Sequence, residues 1–166
     1  MGKIFIIAEA GVNHNGDLKI AKKLIDVAVN AGADAVKFQT FKAEKIVCEG
    51  AAKAAYQKET TGELETQFKM LKKLELSKQM HVDLIEYCFN KNIQFLSTLF
   101  DIDSIYMLCE LDISIIKIPS GNITNFPYLR AAAKTGKDII LSTGMCCMEE
   151  VCEAKEILLK NGVKMS

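Results

Sequence analysis

Two lysines stand in runs where a charge is out of place. Lys37 lies in AVKFQT and Lys117 in IIKIPS, each with apolar neighbours. An ammonium buried in a strand loses hydration unless an anion or a carboxylate meets it. Glu9, closing the apolar run IFIIAE, would make a structural ion pair. An anionic substrate is the other partner, and two lysines in like positions favour it. Ser120-Gly121-Asn122 and Ser142-Thr143-Gly144 each follow an apolar run. Glycine lets backbone amides approach a ligand, and small hydroxyls donate to phosphate oxygens without bulk. Each tripeptide alone reads as a plain turn; with two lysines they suggest a phosphate or carboxylate cradle. Ser97-Thr98 adds donors, or only β-propensity. Glu9 is then a base, a sugar-hydroxyl acceptor or merely a lysine's partner. Asn13, His14 and Asn15 read as a polar loop and helix cap, and His14 alone is a weak metal candidate.

These residues need strands and helices to bring them together. Short apolar runs predict strands at residues 4–8, 35–41, 94–100, 115–120 and 138–143. Asn15 or Asp17 caps a first helix carrying Leu18, Ala21, Leu24, Ile25 and Ala28, which Gly32 ends. Further helical patterns cover residues 67–74, 78–91, 102–111, 128–134 and 149–161, and 42–63 form a polar excursion. Strand and helix in alternation mean right-handed crossovers and a parallel sheet. An open doubly wound sheet and a closed barrel compete. No G-x-G-x-x-G follows the first strand, which weakens the open sheet. Polar groups at successive strand ends favour a (β/α)8 barrel. At about 31 residues per unit, the chain holds about five of the eight units. The expectation is an α/β TIM barrel represented by its first five βα units over residues 1–166.

Composition narrows the function. The 166 residues carry 21 lysines and arginines against 21 aspartates and glutamates, so no field of one sign recruits nucleic acid. No apolar run approaches the ~20 residues of a membrane helix. The amino-terminal run is too short for a signal peptide, and Ile6 stands where myristoylation needs Ser or Thr. A cytoplasmic location follows. Cys48, Cys88, Cys109, Cys146, Cys147 and Cys152 form no C-x-x-C, and with only His14 and His81 no zinc spacing assembles. They read as reduced thiols, mostly core.

The string IIAEAGVNHNGDLKIAKKLIDVAVNAGADAVKFQTF resembles the amino-terminal segment of sialic acid synthases, within the nonulosonic acid synthases. LSTLFD, KIPSGNITNFPYLRAAA and IILSTGM follow in the family's order. The KIPSG form and AAYQKETT resemble the legionaminate and N-acetylneuraminate branches most closely.

The resemblance implies a (β/α)8 barrel that condenses phosphoenolpyruvate with an N-acetylmannosamine-like sugar, releasing phosphate. By similarity Lys37, Thr98, Lys117, Ser120 and Ser142 hold phosphoenolpyruvate. Glu9 and Gln39 face the sugar, and Glu9, Lys37 and Lys117 are the catalytic candidates. The family's divalent metal, Mn or Mg, polarises the sugar aldehyde; its histidine ligands come later than residue 166, as does an antifreeze-like domain that closes the partner's site in a homodimer. None of this chain's residues is assigned to the metal. Asn122 follows Gly121 where the family usually has glutamate, and an asparagine exchanges no proton at neutral pH. Leu99 replaces a usual proline. Two other readings remain open: a Schiff-base aldolase using Lys117, and an inactive barrel remnant that only binds a ligand or partner. The 166-residue chain alone is expected to lack synthase activity.

Overall fold

The computed structural model of the protein describes residues 4–53 and 65–164. Along the chain run β1 (Ile7–Gly11), α1 (Leu18–Asn30), β2 (Ala35–Thr40), the short α2 (Ala43–Ile46), α3 (Gln67–Lys73), α4 (Lys78–Asn90) and β3 (Gln94–Leu99). There follow α5 (Ile102–Glu110), β4 (Ile115–Ile118), α6 (Phe126–Ala133), β5 (Asp138–Leu141) and α7 (Met148–Lys160). The segment AAYQKETT lies outside the described residues, as do Met1, Gly2 and Lys3.

Among the described residues the strands form one parallel sheet in the order β1-β2-β3-β4-β5. A doubly wound sheet reverses its strand order at a switch point, whereas a (β/α)8 barrel adds each strand beside the last. Strand order therefore decides between the two architectures. The chain is a run of five consecutive βα units of a TIM barrel.

Local chemistry fixes the helix ends. Asp17 caps α1, its carboxylate accepting from the Lys19 and Ile20 amides. Gly32 follows with φ +74°, the left-handed stop that ends the helix. Ser77 caps α4, and Asp101 caps α5 through the Ser104 amide. Along the strands, alternate side chains take opposite faces. Val36, Phe38, Phe95, Leu99, Ile116 and Ile118 are buried against the helices with Ile25, Leu84 and Leu108.

The structure corrects three expectations. β1 starts at Ile7 rather than residue 4; Ile4, Phe5 and Ile6 are 80%, 48% and 55% exposed. Their apolarity looks like a buried strand, but the ladder with β2 begins only where Ile7 meets Ala35. It then runs past Glu9, with an irregularity between Glu9 and Gly11. β4 stops at Ile118, because Pro119 lacks an amide and Ser120–Asn122 turn into a 3-10 helix. The cysteines are mostly not core: only Cys88 is buried, Cys109 and Cys146 are half-buried, and the other three are exposed.

Candidate functional site

Register builds the site. Glu9 pairs with Lys37 across β1 and β2, Gln39 with Thr98 across β2 and β3, and Thr98 with Lys117 across β3 and β4. Directly paired residues of a parallel ladder share a face, as do residues two apart on one strand. Glu9, Lys37, Gln39, Thr98 and Lys117 therefore stand on one side of the sheet, opposite the helix layer.

The side chains close on one another there. Lys37 forms an ion pair with Glu9 and donates to the Thr98 hydroxyl at 2.8 Å. Its side chain is only 12% exposed, that of Glu9 52%. Lys117 donates to Ser142 Oγ at 2.5 Å and to the Ile118 carbonyl at 2.8 Å. Burial, and then the Lys37 charge, hold Lys117 below the usual lysine range, with Glu9 acting against them. Thr98, which accepts from Lys37 and stands opposite Lys117 in the ladder, lies between the two ammonium-bearing side chains. Such a pair favours a ligand with two negative charges.

The remaining sequence candidates flank this centre. Ser120 opens the turn after β4, and a Cβ on Gly144 would lie 3.9 Å from its hydroxyl. The turns after β4 and β5 thus meet, as the cradle reading requires. The thiol of Cys146 joins them by a contact of 3.8 Å to the Ser120 carbonyl. Asn122 is placed differently. Its amide donates to the Phe100 carbonyl at 3.1 Å and its side chain contacts the Tyr128 hydroxyl, tying the turn to the end of β3.

Three further residues near the site take their places from the structure. Ser97 faces the helices, so of Ser97-Thr98 only Thr98 serves the site; alternation permits one of two neighbours. His14 is fully buried behind Phe38, its Nδ1 accepting from the Gly16 amide, and does not join Glu9. Gly11 was missed. At φ +55°, a Cβ there would meet Glu9 Oε1 at 3.2 Å and Gln39 Nε2 at 3.5 Å. Its signal was a glycine two residues after a strand carboxylate. Among the described residues no three histidines, cysteines or carboxylates are grouped to hold a metal ion. His14 and His81 both sit on the helix side of the sheet, so among the described residues neither histidine joins Glu9 on the open face to hold a metal ion.

Comparison with known proteins identifies the family. The chain is 55% identical over 164 residues to an N,N'-diacetyllegionaminic acid synthase of Campylobacter jejuni, covering 99% of this chain and 49% of that protein. The corresponding Legionella pneumophila synthase is 54% identical over 147 residues, covering 89% and 41%. The crystal structure of an N-acetylneuraminic acid synthetase from Leptospira borgpetersenii in complex with citrate superposes with a TM-score of 0.81 at 37% identity, covering 96% of this chain and 51% of that one. The chain thus spans about half the length of the relatives it matches. A model of the NeuB family matches residues 24–165, and the chain belongs to that family.

Proposed function

We propose that this chain forms the phosphoenolpyruvate-binding wall of a nonulosonic acid synthase, with a 2-acetamido sugar of the N-acetylmannosamine type as acceptor. The observation that carries it is the convergence of Lys37 and Lys117 on one sheet face with Thr98 paired between them. Two ammoniums and the hydroxyls of Thr98, Ser120 and Ser142 suit a ligand bearing both phosphate and carboxylate. In the reaction the enol carbon attacks the sugar aldehyde, water adds at the phosphate-bearing carbon, and phosphate leaves with carbon–oxygen cleavage. Glu9 and Gln39 stand at the β1–β2 side, where the sugar would meet the enol. A divalent ion in this family would polarise the aldehyde; no step is assigned to it through these residues. The finer legionaminate assignment rests on the 55% and 54% identities above.

Titration calorimetry with phosphoenolpyruvate tests the reading. Lys117→Ala should weaken binding at least tenfold, since a charge-assisted bond contributes about 1.5–3 kcal/mol. Lys134→Ala, at an exposed position, should not. Lys42 would be a poorer control, being half-buried with its amide donating to Asp101. No binding by the parent chain, or equal effects of the two variants, overturns the proposal. A second reading is a Schiff-base aldolase with Lys117 as nucleophile; burial lowers Lys117, which is the direction that chemistry needs. Borohydride trapping with pyruvate would label Lys117 only in that case.

A further inference from the structure

Behind the lysine face lies a second polar group that the proposed chemistry does not use. Thr40, His81 and Ser97 are 2%, 0% and 0% exposed. They are linked by Thr40 Oγ1 to His81 Nε2 at 2.8 Å and Thr40 Oγ1 to Ser97 Oγ at 2.6 Å. The direction of every proton follows from one fact. His81 Nδ1 lies 2.8 Å from the Ser77 carbonyl, which only accepts, so Nδ1 carries the ring proton. Nε2 is then bare and takes the Thr40 hydroxyl proton, which leaves Thr40 to accept from Ser97. The chain is closed and runs one way.

Its members neighbour the site residues. Thr40 follows Gln39 on β2, and Ser97 precedes Thr98 on β3, while Gln39 and Thr98 are register partners. His81 comes from the first turns of α4, whose cap Ser77 holds the ring. The rings of His14, Phe38, Phe95 and His81 continue side by side beneath, at centroid separations of 6.0, 5.7 and 6.4 Å. With an apolar trio in the same volume, register would rest on the alternation of buried and polar side chains alone. The directed hydrogen-bond chain adds a second constraint, because any displacement of β2 along β3 also leaves buried polar groups unpaired.

We propose that the His81–Thr40–Ser97 chain locks β2 against β3 where they present Lys37, Gln39 and Thr98, making His81 a positioning residue for the anion site. The ligand part of this rests on the phosphoenolpyruvate reading; the locking part stands on geometry alone. Thr40→Val removes the hydroxyl at nearly constant shape, Thr40→Ser keeps it, and Ser97→Ala removes only the terminal donor should Thr40→Val fail to fold. Nitrogen NMR of the full chain should find His81 as the Nδ1-protonated tautomer. Calorimetry should find phosphoenolpyruvate binding about three- to tenfold weaker in Thr40→Val and restored in Thr40→Ser. The amides of Gln39 and Thr98 should exchange several-fold faster in Thr40→Val. An Nε2-protonated tautomer in the parent, or unchanged amide exchange, overturns the lock. Unchanged affinity in Thr40→Val with a parent that binds overturns the positioning role while the proposed function stands. A parent that binds no phosphoenolpyruvate sinks the proposed function instead, and tautomer and exchange still decide the lock.

Discussion

The two faces of one sheet carry polar groups of opposite character. On the helix side, Thr40, Ser97 and His81 are buried and their bonds close among themselves and Ser77. On the open side, Lys37 and Lys117 are partly exposed and lean on groups that a ligand can replace, Glu9, Thr98 and Ser142. The same strands supply both, one residue apart. A polar group in a strand is therefore not informative by type alone. What separates structure from function is whether its bonding capacity is closed off from water or left exchangeable.

If that contrast is right, the two faces respond differently to substitution. The largest effect belongs to Phe38→Ala on the helix side. Phe38 is 0% exposed and stacks on Phe95. Removing a buried phenyl group costs roughly 3–5 kcal/mol through lost transfer energy and a residual cavity. Urea unfolding should show that loss, and a loss below about 1 kcal/mol would mean that the helix-side layer is not the core of the domain.

Acid should act on the helix side next. Burial pushes His81 down to about 4, with the Lys42 charge in the same direction and its bond to Ser77 opposing. An unfolded histidine titrates near 6.5, so between these values the unfolded state binds the extra proton. Stability contributed by neutral His81 is thus complete above about pH 6.5 and is lost as pH falls toward 4. The integral is roughly 3 kcal/mol. His14, also lowered by burial, adds loss of the same sign. Urea midpoints between pH 7 and 4.5 should fall less steeply in His81→Gln than in the parent. Parallel curves would place His81 in contact with water.

Much of this was legible in the residues. Apolar runs located β2 and β3 to within a residue, and lysines inside apolar runs marked the sheet face that Lys37 and Lys117 share, because a charge among apolar neighbours leaves a mark in sequence. The start of β1 was not legible: Ile4, Phe5 and Ile6 have strand chemistry, yet register pairing with β2 begins only at Ile7. Ser97-Thr98 showed two hydroxyls, while sidedness waited on the register with Gln39. His81 looked like any helix residue, since its partner Thr40 lies 41 positions away. The tie from Asn122 to Phe100 is likewise a long-range bond that composition does not encode.

The open side should yield a smaller stability effect at Gly11. Alanine there must hold φ near +55°, which costs roughly 1–2 kcal/mol, and its methyl group would press on Glu9 and Gln39. Gly11→Ala should lower the urea midpoint modestly. It should also shift the Gln39 side-chain amide signals, while the His81 tautomer stays as it is. A change at His81 of equal size would show that the faces are not independent.

The smallest stability effect should come from Lys37→Met, where the contrast is sharpest. The methionine keeps most of the aliphatic stem, so packing beneath the ammonium is retained. The lost ion pair has a partner, Glu9, that is half in water, and such pairs contribute about 0–1 kcal/mol. Desolvation of the Lys37 ammonium, whose side chain is 12% exposed, offsets even that. Unfolding free energy should therefore stay within about 0.5 kcal/mol of the parent. Phosphoenolpyruvate binding should fall at least tenfold, because the anion loses one of its two charged donors. Stability lost without a loss of binding would reverse the assignment and make Lys37 a structural lysine.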